Sequence, residues 1–172
     1  MAVRVDAEHE AQFEVAQVAE AMAVKKKNSR PLETAAITAF IATTDAQRSK
    51  TFYRDILGLP LVNEDQFALV FDCRGVPLRI QKVDSLKPHP FTSLGWLVDD
   101  IRNTASTLSA QGVVFERYGF MEQDELGIWK APSGAKVAWF QDPDGNLLSL
   151  TEHRRSSKRA RKPTARRRPA RR

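Results

Sequence analysis

The sequence predicts an α+β protein made of two consecutive copies of a strand–helix–three-strand unit. Three observations predict it: the order of apolar segments repeats once along the chain, each copy has one amphipathic helix with capping signals at both ends, and the second copy ends in a β-hairpin. An N-terminal extension, residues 1–34, precedes the repeat, and a basic segment, residues 154–172, follows it.

The first copy covers residues 35–84. Strands are predicted at 37–43, 59–63, 67–72 and 78–83, and a helix at 46–57. Asp45 is placed to cap the helix N-terminus, and Gly58 is placed as the residue that ends it.

The second copy covers residues 92–152. Strands are predicted at 93–98, 113–118, 136–140 and 147–151, and a helix at 101–110 between Asp100 and Gly112. The last two strands are joined by Asp142-Pro-Asp-Gly-Asn146, in which Pro presets φ and Gly145 accepts a positive φ. This turn predicts an antiparallel hairpin.

These units resemble the vicinal-oxygen-chelate superfamily, which includes glyoxalase I, extradiol dioxygenases and bleomycin-resistance proteins. The resemblance covers about residues 35–152 of the predicted domain at 35–153, and its motifs are Asp45 with Ser49 and Phe52-Tyr53, Asp55–Leu59, Val98–Asp100, Gln111–Val113 and Asp142–Asn146. It implies two tandem βαβββ modules whose paired sheets form an open barrel around a ligand cavity. It implies no single activity, because one fold hosts many functions.

The resemblance also implies where metal-dependent members hold their metal, on the first and last strands of each module. Those positions correspond to Thr38, Gln81, Ser93 and Ser149. None is His, Asp or Glu, and neutral hydroxyls give little charge to hold a divalent ion. The three histidines, His9, His89 and His153, lie outside the strands and do not replace these ligands. We therefore expect no metal and no other cofactor.

Alternation along the strands predicts which side chains face the cavity, because residues two apart share a face. If the four positions above face inward, so do Phe40, Ala42, Arg79, Val83, Gly95, Leu97, Leu147 and Thr151. Their neighbours are all apolar, as a sheet face under helices requires: Ala39, Ile41, Leu78, Ile80, Leu94, Trp96, Val98, Leu148 and Leu150.

The predicted ligand-binding residues are Thr38, Phe40, Arg79, Gln81, Ser93, Tyr118, Trp129 and Ser149. Arg79 is positioned to hold a carboxylate, phosphate or enolate. Alternatively it pairs with an acid such as Asp72 or Glu116, or extends out of the sheet end. The segment 118–130 offers aromatic and thioether side chains for a ligand lid, or covers a sheet edge or a dimer seam.

Composition bounds the cellular setting. Cys73 is the only cysteine, so no intrachain disulfide forms, which favours a reducing, cytoplasmic compartment. No apolar run approaches the roughly 20 residues of a membrane span. The N-terminal extension carries acidic residues unlike a signal peptide, and Ala11, Val15, Val18 and Met22 predict an amphipathic helix. Alternatively, Met22 is the true start.

Positive charge is concentrated at the C-terminus. Residues 154–172 hold 11 of the 27 Lys and Arg residues and no acid, which leaves the rest of the chain with 16 basic and 21 acidic residues, a net charge of −5. Such a segment is predicted to be disordered and to bind nucleic acid without sequence preference, contact an anionic membrane, or touch the acidic body. The predicted phosphate contacts are Arg154, Arg155, Lys158, Arg159, Arg161, Lys162, Arg166, Arg167 and Arg168.

Three functions are compatible with these features. The first is a metal-free, homodimeric protein that binds a small organic molecule in the cavity. The second is a glyoxalase-like lyase or isomerase, metal-independent or else metal-dependent like glyoxalases and dioxygenases, in which Arg79 stabilises an oxyanion and Gln81 or Tyr118 orients the substrate. The third is a nucleic-acid-associated protein that acts through its basic tail.

Overall fold

The computed structural model describes residue 30 and residues 32–154. The first module contains strands β1 (Ala39–Thr43), β2 (Leu61–Glu64), β3 (Ala68–Cys73) and β4 (Val76–Lys82), with helix α1 (Ala46–Thr51) continued by a π-helical turn (Phe52–Ile56). The second contains β5 (Leu94–Leu97), helix α2 (Ile101–Ala110), β6 (Trp129–Lys130), β7 (Lys136–Gln141) and β8 (Leu147–Glu152).

The eight strands in the described residues form two four-stranded sheets, which confirms the predicted repeat. The first sheet has the order β1-β4-β3-β2 and the second the order β5-β8-β7-β6. In each sheet the first strand of the module runs parallel to the last, and the other pairs are antiparallel. Over residues 32–154 the strands do not close into a barrel.

Both helices begin and end where the capping residues predict. The Asp45 carboxylate accepts from Arg48 N, and the Asp100 carboxylate accepts from Asn103 N, each at 3.0 Å. Gly58 and Gly112 follow the helices with φ of 72° and 92°, a conformation that glycine adopts without strain. The caps therefore fix the helix lengths locally.

One predicted strand is wrong. The segment 113–118 contributes only an isolated bridge between Phe115 and Phe140, and the short β6 forms the sheet edge instead. The Phe115 ring is buried in the core. After Glu116 the chain leaves the sheet in a loop, where Gln123 Nε2 donates to the carbonyls of Glu116 and Gly127. Core packing at Phe115 therefore replaces strand pairing.

Burial separates the two faces of each sheet only in part, because Phe40 and Leu97 on the faces away from the helices are exposed whereas Ala68, Val70 and Ser149 on the same faces are buried. On the helix-covered faces the strand side chains are buried and belong to one core that draws residues from both modules: Ile41, Leu69, Phe71, Leu78 and Ile80 from the first, and Ala138, Phe140, Leu148 and Leu150 from the second. The Phe52 ring lies 6.5 Å from the Phe140 ring, joining the two halves. The sheets thus meet through their helix-covered faces, and their opposite faces, the open faces, point away from this core.

The hairpin turn after β7 connects the modules by hydrogen bonds. The Asp144 carboxylate accepts from the Thr43 and Thr44 hydroxyls at 2.7 and 2.6 Å, and Asn146 Nδ2 donates to the Ala42 carbonyl at 2.9 Å. We call Asp142, Asp144 and Asn146, with the first-module groups they contact, the inter-module clasp. The Asp142–Asn146 motif, which identifies the fold in the sequence, therefore connects the two modules in the structure.

Several predictions lie outside the described residues. These are the amphipathic helix at Ala11–Met22 and the basic segment from Arg155 onward; Arg154 is described and exposed. In the part of the chain that the structure describes, no helix has the length and apolar character needed to cross a membrane.

Candidate functional site

The open face of the first sheet carries three of the predicted ligand-binding residues. Phe40 on β1 is directly opposite Arg79 on β4, and Gln81 is two residues further along the same strand. The Phe40 side chain is 54% exposed, and Gln81 is also exposed. This face thus carries an exposed apolar ring on β1 and polar side chains on the adjacent strand β4.

Arg79 is held only weakly by the protein. Its Nη2 lies 3.9 Å from Asp65 Oδ2, and its side chain is 34% exposed. The alternative that Arg79 pairs with an acidic neighbour is therefore met, but the acid is Asp65 and not Asp72 or Glu116. Backbone hydrogen bonds from Phe67 and Ala68, with a smaller effect of Arg79, hold the pKa of Asp65 below its ordinary value. Asp65 stays ionised, yet the guanidinium keeps its donors free among the described residues.

The open face of the second sheet has a row formed by Gly95, Ser149 and Trp139 on three adjacent strands. Ser149 is only 7% exposed although it lies on the open face. Ser93, in contrast, is exposed and lies one residue before β5, where its N–H donates to the Leu147 carbonyl at 2.8 Å. Of the predicted polar positions, Ser149 is the one that a neighbouring side chain covers.

An aromatic cluster lies beside this row. The Trp139 ring is 5.6 Å from Tyr118 at an interplanar angle of 84° and 6.1 Å from Trp129 at 35°. The Tyr118 ring also contacts Phe120, which is 80% exposed. Burial, and to a smaller degree the charge of Glu116, raise the pKa of Tyr118, so its hydroxyl stays protonated near neutral pH. The cluster offers neutral, polarisable surface.

The loop 118–128 that carries Tyr118 is anchored at its acidic turn. Arg102 on α2 donates to Asp124 at 3.1 Å and to Glu125 at 2.7 Å, and Arg117 donates to the carbonyls of the same two residues. Asp124 also accepts from the N–H groups of Leu126 and Ile128. The predicted lid is thus a folded loop that holds one wall of the aromatic cluster in place.

The predicted site residues therefore fall into two groups. Phe40, Arg79 and Gln81 share the first open face, while Ser93, Ser149, Tyr118 and Trp129 belong to the second. Thr38 is exposed and immediately precedes β1 in the chain. Trp139 was missed, although a signal existed: Phe140 faces the core, so its neighbour Trp139 must face the opposite side.

The side chains at the four positions that the family resemblance assigns to metal ligands do not fit a divalent metal. They supply three hydroxyls and one amide, none of which carries the negative charge or imidazole nitrogen that such ions require. Among residues 30 and 32–154, no three His, Cys, Asp or Glu side chains are grouped as metal ligands.

A separate cleft of about 820 Å³ lies on the helix side of the second sheet, lined in part by Asp100, Arg102, Asp124 and Lys136. Two of its charged groups are already paired across the cleft or beside it: Arg102 with Asp124, and Lys136 with Glu152 at 2.7 Å. Glu152 in turn accepts from Ile101 N at 2.9 Å. We interpret these ion pairs and hydrogen bonds as a structural network that stabilises the start of α2.

Comparison with known proteins places these features in a wider group. The family model described as "Glyoxalase/Bleomycin resistance protein/Dioxygenase superfamily" matches residues 34–150. No curated protein matches the chain significantly.

Solved structures share the fold. Lactoylglutathione lyase from Agrobacterium tumefaciens is 19% identical with a TM-score of 0.54, over 69% of this chain and 93% of that chain. The bleomycin resistance determinant encoded on transposon Tn5 is 21% identical with a TM-score of 0.56, over 70% and 98%. A superfamily member from Sphaerobacter thermophilus is 25% identical with a TM-score of 0.56, over 71% and 99%.

Proposed function

Because the chain belongs to the glyoxalase/bleomycin resistance protein/dioxygenase superfamily, we propose that it binds a small organic molecule on its open sheet faces without a divalent metal. The observation that carries this proposal is Arg79. It is a partly exposed guanidinium on an open face, 3.9 Å from the nearest acid, beside the exposed ring of Phe40. An apolar surface with one strongly polarising group is typical of a small-molecule site.

The ligand in this proposal is partly apolar and carries an anionic or carbonyl oxygen that faces Arg79. A guanidinium binds a carboxylate or enolate oxygen through parallel N–H donors, which a lysine does not reproduce. Gln81 on the same face adds an amide that donates or accepts. The remaining contact surface is supplied by aromatic and aliphatic side chains.

The active form in this proposal is a homodimer. Exposed apolar side chains occupy both open faces, Phe40 at 54% on the first and Leu97 at 67% on the second, and exposed apolar patches of this kind mark interaction sites. The modules already use their helix-covered faces to contact each other. A second copy that covers an open face would enclose the ligand and exclude water from it.

Substitution of Arg79 tests the proposal. We expect Arg79→Met to weaken binding of a small aromatic carboxylate, measured by calorimetry, by roughly 10- to 100-fold, because a charge-assisted hydrogen bond contributes about 1.5–3 kcal/mol. Lys82→Met is the matched control, since Lys82 lies on the same strand and pairs with Glu64 instead. Equal effects of the two substitutions would refute the role of Arg79 as the group that binds the ligand's oxygen, which we call the Arg79 anchor.

Assays of turnover and of metal content on the same protein distinguish simple binding from catalysis and from metal dependence. Conversion of the bound ligand, lost in Arg79→Met, would identify a metal-independent lyase or isomerase in which Arg79 stabilises an oxyanion. Stoichiometric metal in untagged protein, lost on Gln81→Ala, would contradict the metal-free proposal. Sedimentation of the ligand-bound and free protein measures the predicted dimer.

The uneven charge supports a second candidate function, nucleic-acid association through the C-terminal segment. All the excess positive charge lies in residues 154–172, against a net −5 for residues 1–153. Phosphate contacts by Lys and Arg give affinity that falls steeply with salt. Truncation after His153 should abolish binding to DNA at low salt and leave the melting temperature unchanged. Unaltered DNA affinity and salt dependence in the truncated protein would contradict this assignment.

A further inference from the structure

The side chain of Trp139 crosses the second sheet. Trp139 lies on β7, yet its Nε1 donates to the Thr92 hydroxyl at 3.1 Å, two residues before β5. β8 lies between β7 and β5 in this sheet. The indole must therefore extend across β8 on the open face.

The crossing explains the burial of Ser149. In the register of the sheet, Ser149 has Trp139 on one side and Gly95 on the other. Gly95 has no side chain, so the indole is the neighbour in this row that covers Ser149, which is 7% exposed. An aromatic ring thus covers one of the four positions at which metal-dependent members of the family hold a metal.

Gly95 leaves room for this arrangement. A Cβ at position 95 would lie 2.5 Å from Ser149 Oγ, closer than non-bonded atoms approach. The absence of a side chain at Gly95 therefore lets the Ser149 hydroxyl turn toward β5. No side chain of this row therefore projects from β5 beside Ser149.

Two neighbouring rings fix the orientation of the indole. Tyr118 meets it nearly perpendicularly at 5.6 Å, and Trp129 packs at 6.1 Å. With the hydrogen bond to Thr92, the ring has contacts on several sides and remains partly exposed. A fixed, partly exposed indole is suited to stacking on another ring.

We propose that Trp139 is an aromatic platform on which a flat aromatic ring of the ligand stacks, in place of metal coordination at this position. The proposal rests on the proposed small-molecule function and names the class of ligand: a planar aromatic or heteroaromatic compound. The observations behind it come from the second sheet and do not involve Arg79, which lies on the first.

Two acids of equal charge test the platform: naphthalene-2-carboxylate and its saturated counterpart, decahydronaphthalene-2-carboxylate. By calorimetry, the full-length protein should bind the aromatic acid about tenfold more tightly, the upper range for an aromatic pair beyond its buried area. Trp139→Phe should keep most of this preference, whereas Trp139→Leu should abolish it. Phe67→Leu is the control, because Phe67 is 66% exposed in the other module.

A measurement on the wild-type protein avoids dependence on the folding of Trp139→Leu. The chain has three tryptophans, and the indole N–H resonance of Trp139 is assigned by its loss in Trp139→Phe. Naphthalene-2-carboxylate should shift this resonance at concentrations where the saturated acid does not. An unshifted Trp139 resonance at saturating aromatic acid would overturn the platform.

The outcomes distinguish this inference from the proposed function. Equal affinity for the two acids, lost in Arg79→Met, would overturn the platform and leave the proposed function standing. An aromatic preference that depends on Trp139 but not on Arg79 would support the platform and remove the anchor. Failure of both acids to bind at millimolar concentration would overturn the platform, and binding of a smaller aromatic carboxylate in the comparison of Arg79→Met with Lys82→Met would then decide the proposed function.

Discussion

The hydroxyl of Tyr53 donates to the Asp142 carboxylate at 2.8 Å, and this buried bond joins two residues that are 89 positions apart. Tyr53 has no exposed surface and Asp142 is 5% exposed. The same carboxylate accepts from Asn146 Nδ2 and from the N–H groups of Asp144 and Asn146. Four donors therefore satisfy one buried acid between the modules, which is what a buried charge requires.

Tyr53→Phe should lower the free energy of unfolding by about 1–3 kcal/mol, because the buried Asp142 loses a donor that water does not replace. Chemical denaturation measures this change. Tyr118→Phe is the control, since the Tyr118 hydroxyl makes no hydrogen bond within the described residues, and it should leave the free energy almost unchanged. Similar losses in both variants would show that Tyr53 acts through packing alone.

Asp144 should make stability depend on pH. Burial acts to raise its pKa, but hydrogen bonds from Thr44, Thr43 and Ser49 outweigh burial, so the pKa lies below the ordinary value of 3.8. A lowered pKa in the folded state means that the stabilisation is complete above the unfolded pKa and is lost as pH falls through the folded pKa. The contribution of Asp142 to the pH dependence has the opposite sign. Burial raises the pKa of Asp142, so its ionisation lowers the stability of the folded state.

The comparison of wild type with Asp144→Asn isolates this contribution. The variant should be less stable by about 1.5–3 kcal/mol at neutral pH, the range for hydrogen bonds to a charged group. The difference should shrink as pH falls below 3.8. Thermal unfolding between pH 2 and pH 7 checks it, with the exposed Asp84→Asn as a reference. A difference that is constant across this range would contradict the titration of Asp144.

Gly95→Ala should destabilise the protein by about 1–3 kcal/mol, because the new Cβ would lie 2.5 Å from Ser149 Oγ and over-packing has this cost. Adding Ser149→Ala should restore most of the loss, since the next side-chain atom, Ser149 Cβ, is at 3.8 Å. Gly119→Ala, where a Cβ meets nothing within 4 Å, is the control. Loss of stability without rescue in the double variant would show that the clash is not at Ser149.

Arg102→Ala should loosen one loop without changing overall stability. Arg102 bridges Asp124 and Glu125 at an exposed position, and exposed ion pairs contribute little to unfolding. Hydrogen exchange of residues 118–128 should become faster, while exchange in β7 and β8 stays the same. Arg54→Ala, which removes the exposed pair with Asp55, serves as a reference. Unchanged exchange in the loop would indicate that Arg117 and Gln123 hold it unaided.

Local signals account for the parts of the fold that the sequence predicted. Asp100 and Gly112 bound α2 because capping depends on the few residues beside them. Alternation assigned Leu78 and Ile80 to the core and Arg79 to the open face, since period two follows from backbone geometry alone.

Non-local contacts account for what the sequence did not predict. Val113 to Phe115 has the composition of a strand, yet Val114 is 81% exposed and only Phe115 reaches the sheet. The position of the Trp139 indole depends on Thr92, which is 47 residues away. Neither contact can be predicted from residues that are neighbours in the sequence. The ligand-binding roles of the open faces stay predictions.

The inter-module clasp has a consequence for synthesis of the chain. Thr43 and Asp144 are separated by 101 positions, and Tyr53 and Asp142 by 89. During translation the first module leaves the ribosome long before residues 142–146 exist. Until then the hydroxyl of Tyr53 lacks Asp142, and until Phe140 is made the ring of Phe52 lacks its contact in the second module, so the nascent first module must hold a polar group and an apolar surface that it cannot yet bury. Completion of one five-residue turn, late in synthesis, is what allows the earlier half to reach its native packing.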